Sequence, residues 1–191
     1  MNTKNFVTPK GELIWIFIDG EGREDLNGVP KYQATLRCKK DSPADKEMAK
    51  TIADFWNENK PKGKKMKSNG TKSEWNKETD EATGYNLYNF WTQVSFPSGD
   101  KKVVKVFNAK ATEIDLRGKK IGNGSEGFIS GAMGIYDRPE GAGVTLYLNA
   151  VQLTKFVEYQ GGITLAKAEE GGWTGEELNK EGFAPAEEAS L

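Results

Sequence analysis

Over most of its length the chain alternates apolar and polar residues with a period of two, the pattern of strands buried on one face. The pattern is clearest in residues 128–136 and 144–156. Between them stand Asp137, Arg138, Pro139, Glu140 and Gly141, so a hairpin is predicted. On its second arm Val144, Leu146, Leu148 and Ala150 share one face, the core face, and Thr145, Tyr147, Asn149 and Val151 share the other. On its first arm Gly127, Gly131 and Gly134 remove side-chain bulk at intervals, which suits a sharply bent sheet or a close approach by another backbone. A strongly curved hairpin is what closes a small barrel.

Further strands are predicted at residues 12–19, 30–39, 86–96 and 101–108. The first is apolar on both faces, with Ile14, Ile16 and Ile18 opposite Leu13, Trp15 and Phe17. In the second, Tyr32, Ala34, Leu36 and Cys38 alternate with Gln33, Thr35, Arg37 and Lys39, giving an apolar face and a basic-polar one. In the third, Tyr88, Phe90, Val94 and Phe96 line one face, and the other reads Asn89, Trp91, Gln93, Ser95, an indole standing alone among polar groups. A helix is predicted after Asp41, with Ser42 as its cap, Pro43 at its first position and Asp45 in its first turn. Met48, Ile52, Phe55 and Trp56 make its one apolar face. Residues 1–10 are polar and read as loose. Residues 60–77 carry seven lysines against the single Glu74 and read as a flexible cationic loop.

Composition narrows the function. The 191 residues suit one domain, 1–160, with a solvated extension, 161–191. The chain has no histidine, which removes imidazole catalysis and imidazole metal sites, and its lone Cys38 cannot form an internal disulfide. No enzyme and no cofactor is expected. Neither a leader of signal-peptide form nor a run near the roughly 18 apolar residues of a membrane span is found, so a cytoplasmic protein is expected. Residues 1–160 hold 25 Lys and Arg against 21 Asp and Glu, whereas residues 161–191 hold 2 against 7. A basic body with an acidic tail hints at nucleic-acid contact on the body and an interaction role for the tail.

Gly122-Asn123-Gly124-Ser125-Glu126-Gly127 matches a dinucleotide-binding fingerprint in letters, but strand-like residues follow where the mechanism needs a helix N-terminus. Asp19 and Asp25, in the acid-rich first loop, are the residues a Mg²⁺-dependent nuclease would use. A structural protein built on a β-barrel is another alternative. The reading that best joins the lysines to the aromatics is a single-strand site. There bases stack on Trp91, with Trp15 and Tyr147 as weaker candidates, and phosphates meet Arg37, Lys39, Lys105 and the cluster of Lys62, Lys64, Lys65 and Lys67.

The order of segments resembles the single-stranded DNA-binding proteins of T7-like phages over roughly residues 11–162. The likeness is carried by Gly28-Val29-Pro30-Lys31-Tyr32, by Tyr88-Asn89-Phe90-Trp91-Thr92-Gln93-Val94-Ser95 and by Ile121-Gly122-Asn123-Gly124-Ser125. Phe156-Val157-Glu158-Tyr159-Gln160-Gly161-Gly162 then follows the final hairpin. The resemblance implies a mainly β chain folded as an OB-fold, a five-stranded Greek-key barrel with one packed helix and a flexible acidic C-terminal tail. It implies a sequence-tolerant, non-catalytic role in phage DNA replication, recombination and repair inside the infected bacterial cell. It also adds Tyr136 and Arg138, at the hairpin tip, to the binding surface. Through Glu187 and Glu188 the tail would dock on replication partners such as a polymerase or helicase-primase.

Overall fold

The computed structural model describes residues 3–25 and 27–161. In chain order the elements are β1 (Thr3–Val7), β2 (Gly11–Phe17), β3 (Arg23–Glu24), β4 (Pro30–Lys39), α1 (Pro43–Asn59), β5 (Met66–Ser68), β6 (Thr71–Asn76), β7 (Glu81–Gln93), β8 (Lys105–Phe107), β9 (Ser125–Arg138) and β10 (Gly141–Lys155). Strands β2, β4, β7, β10 and β9 pair in that order, and β9 returns to β2, so the sheet closes on itself. Every contact in this ring is antiparallel except the one between β7 and β10, which is parallel and carries the register pair Trp91–Tyr147. Over the described residues the chain is mainly β, a closed five-stranded barrel of OB-fold type with one helix.

The alternation reads through to packing. Tyr32, Ala34, Leu36 and Cys38 of β4 are buried, as are Tyr88 and Phe90 of β7 and Val144, Leu146 and Leu148 of β10. Met48, Ile52, Phe55 and Trp56 of α1 join the same core. Burial pushes the Cys38 thiol up to about 11, so it stays a neutral apolar filler. The glycines of β9 serve close approach: a Cβ on Gly131 would stand 2.5 Å from the Tyr147 carbonyl oxygen and 2.9 Å from the Phe90 ring.

Several expectations are corrected. Residues 3–7 are not loose; they form β1, an outer strand paired with β9 from Gly134 to Ser130, and Phe6 tilts onto Phe90 at 5.8 Å between ring centroids. Half of the segment from 60 to 77 is not a free loop either, because β5 adds to β10 and β6 to β7. Backbone pairing at a sheet edge needs no apolar alternation, so neither strand leaves a periodic signal. The strand expected at 101–108 shrinks to three residues. Phe96 lies beyond the end of β7 and is exposed. On β10 a bulge between Leu148 and Ala150 shifts the register by one residue, so Val151, expected to point outward, is fully buried.

Helix and barrel are locked by a polar contact that the residue pattern does not reveal. Asp45 is buried and accepts hydrogen bonds from the Tyr88 hydroxyl at 2.6 Å, from the Asn86 amide at 3.0 Å and from the Asp41 N–H at 2.9 Å. Burial alone would raise its carboxyl, but the bonds from Tyr88, Asn86 and Asp41 outweigh it, leaving the carboxyl below its ordinary 3.8. A carboxylate depressed in the folded state adds stability above its unfolded pKa, and that stability is lost as pH falls through the folded value. Asp45→Ala removes the carboxylate that takes the Tyr88 and Asn86 donors, leaving the buried Tyr88 hydroxyl only its 3.1 Å bond to the backbone carbonyl of residue 45, and is expected to cost about 1–3 kcal/mol at neutral pH, the difference from the parent narrowing in acid. Denaturant unfolding at neutral pH and near pH 3 measures both terms.

Candidate nucleic-acid interface

Strands β4 and β7 present their outer faces beside the tip of the β9–β10 hairpin, and three adjoining hollows of about 620, 330 and 950 Å³ run across this side of the barrel. The first is walled by Tyr136, Arg138, Lys67 and Trp91, the middle one by Tyr136, Trp91, Thr145 and Asn89, and the third by Trp15, Trp75, Arg23 and Lys72. Lys31 borders all three. Together they form one groove of aromatic rings and cations.

Trp91 stands at its centre because it lies at the parallel seam of the barrel, opposite Tyr147. Far from standing alone, its ring meets the Tyr147 ring edge-on at 5.6 Å, and the Lys31 ammonium sits 4.1 Å from its centroid. Tyr147 can lie there because Gly134 offers no side chain; a Cβ on it would come within 2.8 Å of the tyrosine ring. Lys31 is held by Asp25 at 2.6 Å. That bond, with N–H donors from Val29 and Asn27, pulls the Asp25 carboxyl down to about 2, so it is a carboxylate throughout the neutral range.

The expected residues fall into two groups. Trp91, Tyr136, Tyr147, Arg138 and Lys67 gather around the central and tip hollows, Lys67 donating to the Glu140 carbonyl and Lys64 pairing with Asp137 at 3.5 Å beside the same tip. Trp15 is exposed at the far end of the groove. Lys62 and Lys65 are exposed on the segment between α1 and β5. Arg37 borders the groove but is engaged at both ends, bonding Glu12 at 2.8 Å and Glu74 at 2.8 and 3.0 Å, with its guanidinium over Tyr85. Those carboxylates hold it firmly protonated while occupying the donors a phosphate would need. Lys39 stands exposed at the end of β4, level with Tyr85. Lys105 pairs with Glu113 at 2.8 Å and lines a separate hollow with Lys119 and Lys120.

Lys31, Lys72, Arg23 and Trp75 were not singled out from the sequence, although they border the groove. Lys31 shared the outward face of β4 with Gln33 and Arg37, and that periodicity was the available signal. Trp75 sits on β6, which carried none. Gly122 to Gly127 leads into β9 and not a helix, in agreement with the sequence; its Asn123 side chain instead accepts the Trp15 N–H at 2.8 Å. Among the described residues no group of three or more His, Cys, Asp or Glu could hold a metal ion, and Asp25 is committed to Lys31. No helix among them is long and apolar enough to cross a membrane.

A barrel closed by this seam and grooved on this side has the fold of phage single-stranded DNA-binding proteins. The crystal structure of gp2.5, a single-stranded DNA-binding protein encoded by bacteriophage T7, matches with a TM-score of 0.58 and 18% identity, covering 85% of this chain and 98% of that one. The single-stranded DNA-binding protein of bacteriophage Enc34 matches in its complex with ssDNA with a TM-score of 0.57 and 16% identity, over 82% of this chain and 89% of that one. At these identities the likeness is one of fold. No protein-family model and no curated protein matches the chain by sequence.

Proposed function

We propose that the protein binds single-stranded DNA along this groove, without sequence preference and without catalysis. The observation that carries the proposal is the convergence of Trp91, Tyr136 and Tyr147 with Lys31, Lys67 and Arg138 on one open side of the barrel. Every base has a π-face, so stacking on Trp91 is tolerant of sequence, and the cations track the phosphates. The fold it shares with phage proteins that bind single strands supports the same reading. We place its work in phage DNA replication, recombination and repair, in the cytoplasm of the infected cell. Residues 1–160 are then the DNA-binding domain, and 161–191 an acidic tail that meets replication proteins through Glu187 and Glu188. The tail lies outside the described residues apart from Gly161.

Counterion release makes such binding salt-sensitive. With four to six phosphates contacted, the logarithm of affinity for a mixed-sequence oligonucleotide is expected to fall with the logarithm of salt at a slope of about −3 to −4. Fluorescence titration at several salt concentrations measures it. An affinity indifferent to salt would sink the proposal.

A further inference from the structure

The groove continues past the Trp91 station into a hollow whose aromatic walls are built with unusual care. Trp15 occupies a bulge between Ile14 and Phe17 where the register of β2 against β4 slips. Its φ is +49°, a left-handed conformation that bulky side chains avoid and that persists only where the surroundings enforce it. Here the enforcing group comes from 108 residues away, the Asn123 side chain that takes the Trp15 N–H. The result is an indole 40% exposed. Facing the same hollow, Trp75 is 54% exposed, and its indole N–H donates to Asp80 at 3.0 Å, which fixes the ring without burying it. Two exposed tryptophans, each with a polar tether, are an expensive way to make an ordinary surface.

We propose that this hollow is a second nucleobase-stacking site, formed by Trp15 and Trp75 and flanked by Arg23 and Lys72 for the phosphates. It rests on the groove being the single-strand site, with which it is continuous through Lys31, Gln33 and Asn89. Of the three acids lining it, Glu74 is taken up by Arg37 and Asp25 by Lys31, which leaves Glu24 against Arg23 and Lys72. A strand long enough to reach from the hairpin tip past Trp91 gains a further stack there, whereas a shorter one ends at Trp91. Asp80 holds the Trp75 indole and Asn123 the backbone N–H from which Trp15 projects, so both are positioning residues.

The test is affinity against length for oligodeoxythymidylates of about 4 to 16 nucleotides, the range of site sizes for one such barrel. The parent should gain affinity as the strand reaches the second site. In Trp75→Ala that gain should shrink by about 5- to 150-fold, the loss of one stack, and Trp15→Ala should act alike. Asp80→Ala and Asp80→Asn remove the same charge, but Asn keeps an acceptor for the Trp75 N–H. Retention of long-strand affinity in Asp80→Asn and its loss in Asp80→Ala would report the tether and not electrostatics. Coincident length profiles for the parent and Trp75→Ala, with Trp91→Ala still weakening both ends, would overturn the second site and leave the groove standing. A parent that binds no strand would remove both.

Discussion

Replacing Trp91 with alanine is expected to weaken binding to a mixed-sequence single strand by about 5- to 150-fold, which is one base stack of about 1–3 kcal/mol. The effect is large because the indole is the central ring of the groove. It is also the partner against which Tyr147 and Lys31 are set. Anisotropy of a labelled oligonucleotide measures it without relying on the indole that has been removed. Lys105→Ala provides the contrast: this lysine pairs with Glu113 beside a different hollow, and its loss is expected to change affinity less than about threefold.

The adjacent residue behaves in the opposite way. Phe90 precedes Trp91 on β7, points to the other side of the strand and is fully buried against Phe6 and the Gly131 backbone. Phe90→Ala leaves a cavity in a core that cannot collapse around it, because the barrel is closed, and is expected to cost about 3–5 kcal/mol of stability. In a domain of this size that lowers the unfolding midpoint by about 6–20 °C. Thermal unfolding followed by circular dichroism measures the loss. A strand whose alternate residues hold the core and the ligand face thus predicts two unlike phenotypes at neighbouring positions.

Much of this was legible in the residues. Strong alternation in β4, β7, β9 and β10 marked the barrel strands, and Ser42-Pro43 marked the start of α1, because periodic burial and capping each leave a local signature. The same alternation set Trp91 on an outward face. What escaped was structure fixed by pairing across long sequence distances. β1, β5 and β6 are held by backbone bonds at sheet edges, and polar sequences such as Thr71 to Asn76 give no hint of them. The bulge on β10 reversed the facing of Val151, since a single extra residue overrides a period of two.

At the site, the partners of each cation were the hidden part. Arg37 reads as a free phosphate contact in the sequence, but Glu12 from β2 and Glu74 from β6 take its donors, and nothing local to Lys31 shows that Asp25 and Trp91 converge on it. Charge is visible in a sequence, but its compensation is a property of the fold. That distinction separates the groove cations Lys67, Lys72 and Arg138 from lysines such as Lys105 whose charge is answered elsewhere.

The most direct measurement is photocrosslinking of the full chain to a single strand carrying halogenated bases, with the attached residues identified by mass spectrometry. Crosslinks are expected at Trp91, Tyr136 and Tyr147, on the side of the barrel where β7 meets β10. Crosslinks confined to the separate hollow around Lys105, Lys119 and Lys120, with Trp91 untouched, would contradict the groove as the place where DNA binds.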